Sequence, residues 1–427
     1  MLDNGLKIIV REDHRAPVVV SQVWYKAGSS YERNGTTGVA HVLEHMMFKG
    51  TEKHGPNEFS KIISANGGRE NAFTGQDYTA YFQQLEKSRL HISFEMEADR
   101  MQNLNLAAEE FGKEIKVVME ERRMRTDDKP ESKTYERFIA TAFVNSPYHH
   151  PIIGWMNDLQ NMTVEDAQHW YNHYYAPNNA TLVVVGDVDP NEVFQLAQKY
   201  YGPVPKRDIP VLKPQKEINQ VGIKRITVKA PAQLPYMVMG YKVPVVKTAE
   251  NDWESYALEM LAQVLDGGDS ARFTKNLVRG QQVAQNIGTS YDLYARLEEL
   301  FTIVGTPAQG NTAQQLEEAI RGQIQKVQNE LVSEEELKRI KAQVVASKVY
   351  EKDSIFYQAM QIGTLETVGL DWRLSDQYVD KIRAVTPEQI QQVARKYLVD
   401  DRLTVAVLDP QPINNIAAME HGGSHAH

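Results

Sequence analysis

The feature of this sequence that most constrains its fold is an internal duplication at about half the chain length. Residues 163–188 and 386–410 share one plan, so that Thr163 of the first stretch corresponds to Thr386 of the second. Each begins with a Thr cap and an acidic residue two positions later, continues as an amphipathic helix, and turns on Asn or Asp into an apolar strand. The pattern predicts two copies of one domain.

Two further segments repeat at nearly the same separation. The helical stretch 107–126 corresponds to 333–352, and the stretch 40–50 corresponds to 257–267. The separations differ slightly from pair to pair, as loop insertions between two copies would produce. The duplication therefore extends over nearly the whole chain.

A proline-rich stretch separates the copies, since residues 201–220 contain four prolines and predict an extended linker. We expect an N-terminal domain over residues 1–205, a linker over 206–221 and a homologous C-terminal domain over 222–427. Strands and helices are mixed within each copy without strict alternation, which predicts an α+β fold and not a doubly wound sheet.

Composition excludes several classes of protein. The 427 residues carry a net charge of −9 without a basic cluster, so we expect no nucleic-acid partner. No stretch approaches the roughly 18 uninterrupted apolar residues of a membrane span. The chain contains no cysteine, so a bound metal would have to be held by His, Asp or Glu.

A short apolar segment, "HVLEHMMF" at residues 41–48, carries three polar groups that burial would disfavour. Gly38 and Gly50 bracket it, which predicts a short helix that ends near Gly50 and uses Thr36 or Thr37 as its N-terminal cap.

His41 and His45 lie about 40° apart on one face of that helix, one turn apart, as two imidazoles must to bind one ion. Glu44 lies about 60° to the other side of His41 and borders the same site. The pattern H-x-x-E-H is the inverted zincin motif. The alternative is that both histidines are rim residues hydrogen-bonded to the backbone.

The second copy provides an internal comparison. At the positions of the two histidines and the glutamate it has Leu258, Leu261 and Ala262, which form an ordinary apolar helix face. The fold therefore does not require the polar groups of the first copy.

A third metal ligand is expected because catalytic zinc usually takes three protein ligands and a water. Glu114 and Glu121 share one face of the second repeated helix, near its apolar stripe, whereas Glu120 points to solvent. In the second copy Glu114 and Glu121 become Ile340 and Ser347. The alternative is that these glutamates are solvated charges paired with nearby Arg and Lys.

The motif at 41–45, followed by Glu121 in the second repeated helix, resembles the pitrilysin or insulinase-type zinc peptidases, which include the mitochondrial processing peptidase. The resemblance extends through residues 67–82 and 114–123 and over the duplicated layout. It implies two tandem homologous α/β-roll domains, each a mostly antiparallel sheet flanked by helices.

The resemblance also implies that His41, His45 and Glu121 bind one Zn²⁺ per chain. Glu44 would be the general base, and Glu114 would support catalysis from outside the ligand set. Zinc lowers the pKa of a bound water towards neutrality, which agrees with a glutamate base.

Substrate binding is expected at a strand edge. The segments "RENAF" and "YTAYFQQL" predict a strand pair whose edge could add an extended peptide, and the resemblance places that edge at Asn71, Ala72 and Phe73. The alternative for Asn71 is a turn cap. By the same resemblance Phe48 would line a side-chain pocket, with a core position as its alternative.

One departure from the family pattern concerns the second copy, which in members that act alone or as homodimers has an Arg and a Tyr in a pattern like L-R-x-x-x-G-x-x-Y. The corresponding stretch is residues 276–288. Depending on the alignment, the Arg and Tyr positions hold Val278 and Gln285, or Arg279 and Asn286. The tyrosine is absent in both, so we expect a heterodimer in which a homologous subunit supplies the Arg/Tyr pair.

The expected function is therefore that of a zinc-dependent endopeptidase that hydrolyses peptides or unfolded polypeptides in an enclosed chamber. A catalytically silent scaffold or assembly subunit is the alternative. The first residues, "LDNGLKIIV", predict a hairpin turn with only two residues before it, so we expect missing upstream residues that could include an export signal. A bacterial periplasmic or cell-envelope location is expected.

Overall fold

The structure is a computed structural model, and it describes residues 1–413. Residues 414–427, the end of the expected C-terminal domain, lie outside the described part. The strands of the N-terminal half are β1 Lys7–Glu12, β2 Val18–Tyr25, β3 Arg69–Thr74, β4 Thr79–Glu86 and β5 Ala180–Gly186. Its helices are α1 Val39–Met46, α2 Glu58–Ala65, α3 Leu90–Asn103, α4 Ala108–Arg122, α5 Pro130–Ala142, α6 Met156–Asn161, α7 Val164–Tyr174 and α8 Pro190–Tyr200.

The C-terminal half repeats this arrangement. Its strands are β6 Lys224–Pro231, β7 Tyr236–Val243, β8 Ala284–Ser290, β9 Glu299–Pro307 and β10 Leu403–Gln411. Its helices are α9 Glu254–Asp266, α10 Ala313–Asn329, α11 Glu334–Glu351, α12 Ile355–Thr367, α13 Leu374–Ala384 and α14 Pro387–Tyr397. Short π-helical turns occupy Arg123–Asp127 and Thr274–Gly280.

The two sheets have the same topology. The first has the strand order β1-β5-β2-β4-β3 and the second β6-β10-β7-β9-β8, so each strand of one half has a counterpart in the other. In each sheet only the pair at one edge, β1 with β5 or β6 with β10, is parallel, and the other pairs are antiparallel. The prediction of two tandem α+β copies with mostly antiparallel sheets is confirmed.

One face of each sheet is covered by a helix of the opposite half. Helix α12 packs against β2 and β5 of the first sheet, where Ala359 and Ile362 join the buried cluster around Trp24. Helix α5 packs against β6, β7 and β10 of the second sheet, where Phe138 joins the cluster around Val238. Each half therefore completes the core of the other.

The segment between α8 and β6 contains no helix or strand. It is nevertheless anchored, because Glu217 is buried and forms an ion pair of 2.6 Å with Lys242 of β7. The same carboxylate accepts hydrogen bonds from the backbone N–H groups of residues 144–146, which follow α5. This connection therefore contacts elements of both halves. Within residues 1–413, no helix has the length and apolar content that a membrane crossing requires.

Candidate active site

Helix α1 begins differently from the sequence-based expectation. Neither Thr36 nor Thr37 caps it: Gly38 is the N-cap residue, with φ 88°, and the Thr37 hydroxyl donates to Asp158 instead. The first N–H groups of the helix are instead satisfied by the side chain of Glu32, whose carboxyl oxygens accept from the backbone N–H groups of Gly38 at 2.8 Å and Ala40 at 2.9 Å. The short helix that carries the histidines is thus fixed by the carboxyl group of a residue upstream of its first turn.

Helix α4 brings two glutamates to the histidines of α1. Nε2 of His41 lies 3.7 Å and Nε2 of His45 lies 3.5 Å from Oε2 of Glu121. The ligand atoms of these three residues all lie within 4.8 Å of one another, and within residues 1–413 no other group of three or more His, Asp or Glu meets this criterion. Glu120, which was expected to point to solvent, is exposed and paired with Arg123.

Glu114 acts on His45 from the side opposite the cluster. Nδ1 of His45 donates to Oε1 of Glu114 at 2.9 Å, and the second carboxylate oxygen lies 2.6 Å from Nζ of Lys49. Burial alone would raise the pKa of Glu114, but the hydrogen bonds from His45 and Lys49 hold it below its usual value. An ionised Glu114 keeps the proton of His45 on Nδ1, so Nε2 presents its lone pair to the cluster.

The ionisation of the two histidines differs. Burial, with the charges of His45 and Arg125, lowers the pKa of His41 to about 3, so its imidazole is neutral at physiological pH. Burial would also lower the pKa of His45, but its hydrogen bond to Glu114 and the charge of Glu44 raise it above its usual value. A bound cation would favour the neutral form of both rings.

The residues present fit a zinc ion. Two imidazole nitrogens and one carboxylate oxygen are its usual protein ligands, and bond lengths of about 2.0–2.1 Å in a tetrahedral site place ligand atoms roughly 3.3 Å apart. The two distances to Glu121 are close to that value. Nδ1 of His41 is buried without a hydrogen-bond partner among the described residues.

Glu44 lies beside this cluster and is held by a residue that sequence analysis missed. Thr74, the last residue of β3, donates its hydroxyl hydrogen to Oε2 of Glu44 at 2.5 Å. Burial raises the pKa of the Glu44 carboxyl above its usual value, while the Thr74 hydrogen bond opposes that rise. A carboxylate with a raised pKa is a stronger base, as proton abstraction near neutral pH requires.

The equivalent face of the second half is apolar. In α9, Leu258, Leu261 and Ala262 are buried in the second core, and in α11 Ile340 is buried with them. Ser347, the counterpart of Glu121, is exposed. The same supersecondary structure is therefore stable without any of the five polar groups.

The cluster opens into a cavity of about 1100 Å³ that both halves line. His41, Glu44, His45 and Glu121 form one wall with β3, and α5 forms another. The second half contributes Tyr236 and Glu299. His149 and His150 also line the cavity, and their proximity to the motif results from tertiary packing that local spacing does not reveal.

Strand β3 is one of the two edge strands of the first sheet and pairs only with β4. Asn71, Ala72 and Phe73 line the cavity, so the structure brings all three to the cluster. Oδ1 of Asn71 accepts from the N–H of Ala72 at 2.9 Å, within a strand and not in a turn. The ring of Phe73 packs edge-on against Trp24 at 5.3 Å between centroids.

Phe48 has a different environment. It is not among the residues that line the cavity, and its ring packs against the first core, with the guanidinium of Arg100 5.2 Å from its centroid. This position favours the second alternative for Phe48, a core residue, over a pocket-lining one.

The stretch that departs from the family pattern does not line the cavity. Val278 and Arg279 belong to the π-helical turn Thr274–Gly280, and Gln285 and Asn286 to the edge strand β8. None of them is among the cavity-lining residues. The chain thus brings no residue of this stretch to its own cluster.

Comparison with known proteins identifies relatives of both halves. A family model described as Insulinase (Peptidase family M16) matches residues 7–155, and one described as Peptidase M16 inactive domain matches residues 161–344. The second description agrees with a C-terminal copy that has lost the polar groups.

Similar proteins cover almost the whole chain. The zinc protease PqqE of Helicobacter pylori is 32% identical over 96% of this chain and 92% of its own length. A crystal structure of a protease from the same organism superposes with a TM-score of 0.90 at 31% identity, covering 96% of this chain and 98% of the other. The first half of the periplasmic protease PqqL from Escherichia coli has the same fold, with a TM-score of 0.77 at 19% identity over 96% and 91% of the two chains.

Proposed function

The chain belongs to the insulinase family of peptidases, M16, and on that premise we propose that it is a zinc-dependent endopeptidase. The observation that carries the proposal is the convergence of His41, His45 and Glu121 beside Glu44, in a cavity bordered by an unpaired strand edge. We propose His41, His45 and Glu121 as the ligands of one zinc ion per chain, Glu44 as the general base and Glu114 as the residue that orients His45.

When bound, zinc supplies Lewis-acid polarisation of the scissile carbonyl and a water of lowered pKa. Glu44 takes the proton of the attacking water on its carboxylate and passes it to the leaving amine. Thr74 holds one oxygen of Glu44 and so fixes the direction of the other. Glu114 keeps the His45 proton on Nδ1 throughout, because an ionised carboxylate can only accept.

The substrate is proposed to be an extended segment of a peptide or unfolded polypeptide. An edge strand offers a row of free backbone groups with which such a segment can form a further antiparallel pair. Asn71, Ala72 and Phe73 stand on that edge next to the cluster. A folded protein would not reach this edge within the cavity, which favours flexible chains.

We further propose that the active form is a heterodimer whose second, homologous subunit supplies an Arg/Tyr pair. The support is the missing tyrosine and the finding that residues 276–288 do not line the cavity. Donors to the developing oxyanion are worth about 3–4 kcal/mol each in other hydrolases, so their absence would leave the single chain weakly active.

The proposed domain limits are residues 1–205 for the zinc-binding domain, 206–221 for the linker and 222–427 for the homologous domain without the motif. A bacterial periplasmic or envelope location is also proposed, and its support is the periplasmic description of the similar PqqL.

The test is hydrolysis of a quenched fluorogenic peptide by the chain with verified zinc content, alone and mixed with a homologous chain that carries the Arg/Tyr pattern. Glu44→Gln is the control, since it keeps the shape of the side chain and removes the base. Activity in the mixture that Glu44→Gln abolishes is expected. Activity of the chain alone would retain the zinc peptidase and discard the obligate partner. Inactivity of both despite bound zinc would support a scaffold subunit.

A further inference from the structure

The metal cluster has a neighbour that neither the motif nor the comparisons assign. Arg125 lies on the π-helical turn Arg123–Asp127 that directly follows α4, one helical turn after Glu121. Its Nη1 lies 2.8 Å from Oε1 of Glu121, the oxygen that does not face the histidines. A Glu followed by a cation at the i+4 position is the favourable orientation for such a pair on a helix.

We infer that Arg125 is the positioning residue of Glu121, an inference that rests on the proposed zinc site. Arg125 holds Oε1, so that Oε2 is presented to the ion that His41 and His45 share. A ligating carboxylate is usually fixed in this way through its second oxygen, and such outer partners affect metal affinity strongly. Without one, the carboxylate could rotate or bind through both oxygens.

The charges in the site support the same role. Glu44, Glu114 and Glu121 gather three carboxylates around two histidines, which is unfavourable before any cation arrives. Glu114 binds His45 through one carboxylate oxygen, and its other oxygen is paired with Lys49. Glu121 faces the histidines with one oxygen, and its other oxygen is paired with Arg125. Both carboxylates are thus held in place in the absence of an ion.

The internal duplication provides a comparison for these cations as well. When residues 40–50 are aligned with 257–267 and residues 107–126 with 333–352, Lys49 corresponds to Asp266 and Arg125 to Glu351. Both cations are replaced by acids in the copy that lacks the histidines and their glutamates. If Lys49 and Arg125 served only the stability of the fold, we would not expect acidic residues to replace them in the copy that also lacks the metal ligands.

The exposure of Arg125 makes it suitable for mutation. Its side chain is 72% exposed, so its replacement removes little packing. Arg123 is a matched control on the same turn, because it forms an equivalent ion pair of 2.8 Å with Glu120 on the solvent side of α4. Both substitutions remove one positive charge from the same region of the chain.

The experiment measures the zinc dissociation constant of the full chain by competition with a chromophoric chelator, for the wild type, Arg125→Ala, Arg125→Lys and Arg123→Ala. We expect Arg125→Ala to weaken zinc binding about tenfold, at the lower end of the effects known for outer partners. Arg125→Lys should be intermediate, and Arg123→Ala should match the wild type. The melting temperatures of the metal-free proteins should agree, which would show that the loss of zinc affinity does not come from a less stable fold.

Two results would overturn the inference. Zinc affinity of Arg125→Ala within twofold of the wild type would show that Glu121 does not need the ion pair with Arg125 to bind zinc. An equal loss of affinity in Arg123→Ala would show that the effect comes from the overall charge of this region and not from the contact with Glu121. Either result leaves the proposed zinc peptidase intact. Failure of the wild type itself to bind zinc would overturn both the proposed function and this inference.

Discussion

Gly363 of α12 lies so close to Trp24 of β2 that a Cβ built on the glycine would stand 2.0 Å from Cε2 of the indole. The packing of α5 on the second sheet has the same feature, since a Cβ on Gly240 of β7 would lie 2.4 Å from Cζ of Phe138 in α5. Each contact joins a helix of one half to the sheet of the other. The two halves therefore meet through large aromatic rings seated on glycines.

Replacing Gly363 by Ala should destabilise the chain by about 1–3 kcal/mol, because overpacking a rigid core displaces Trp24 or the helix. A contact as short as 2.0 Å places the cost towards the upper end of that range, above the gain of roughly 1 kcal/mol that Ala brings to a helix interior. Gly322→Ala in α10 is the control, since nothing lies within 4 Å of its added Cβ, and it should be neutral or slightly stabilising. Chemical denaturation measures both variants. Equal stability of the two would contradict the close contact.

Neither half should fold alone. Expressed separately, residues 1–205 would lack α12 over the first sheet and residues 222–427 would lack α5 over the second. Each fragment would expose an apolar sheet face, so we expect aggregation or strong binding of a hydrophobic dye. Coexpression of the two fragments should restore a soluble complex. A monomeric, cooperatively unfolding fragment 1–205 would show that the exchanged helix is dispensable.

The packing of α5 and α12 on the sheet of the opposite half is a feature that sequence analysis could not predict. The duplication, the α+β class and the motif on α1 follow from local periodicity and spacing, and the structure has them. Amphipathicity predicts that α5 and α12 each bury one face, but it does not say against which sheet. The partner of an apolar face is decided by tertiary packing, so the intertwining of the halves was not predictable.

The candidate site, like the fold, was predictable where it depends on local spacing and was missed where it depends on tertiary contacts. The motif and the helical spacing brought together His41, His45, Glu114 and Glu121, because those relationships are local to one helix each or supported by the second copy. Glu32 was missed because capping rules consider the few residues next to a helix start, whereas Glu32 lies well before the N-cap, Gly38. Arg125 had a readable signal in its i+4 spacing from Glu121.

Glu114 should control zinc affinity through His45. In Glu114→Ala the Nδ1–H of His45 and the ammonium of Lys49 both lose their acceptor, so the imidazole can rotate and Nε2 is no longer directed at the cluster. We expect zinc binding to weaken about 10–100-fold, with a parallel loss of peptide hydrolysis. Chelator competition measures the first quantity. Glu120→Ala, on the exposed face of the same helix, should have no effect, and an equal loss there would refute the assignment.

Glu32 should make the stability of the metal-free chain depend on pH. Burial raises its pKa to about 8, against its backbone hydrogen bonds, whereas the unfolded chain has an ordinary glutamate pKa of about 4.5. Between these values the folded state binds more protons, so stability should fall as pH rises from about 4.5 to 8 and stay level above.

The matched variant for this effect is Glu32→Gln, which cannot ionise and keeps one of the two acceptor oxygens for α1. Denaturation curves of the two proteins at a series of pH values should diverge by on the order of a few kcal/mol towards pH 8, with the wild type becoming relatively less stable. Parallel curves would show that Glu32 ionises normally inside the fold.

Thr74 should set the acid limb of the activity profile through Glu44. Its hydroxyl donates to Glu44 Oε2 and so stabilises the ionised carboxylate. In Thr74→Val the donor is lost, the pKa of Glu44 rises further, and the base is protonated at pH values where the wild type is still ionised. The acid limb of kcat/KM should therefore move to higher pH, while activity on the alkaline side of that limb changes less.

Thr74→Ser keeps the hydroxyl and should keep the wild-type profile. A limb that moves to lower pH in Thr74→Val, or not at all, would mean that this hydrogen bond does not tune the base.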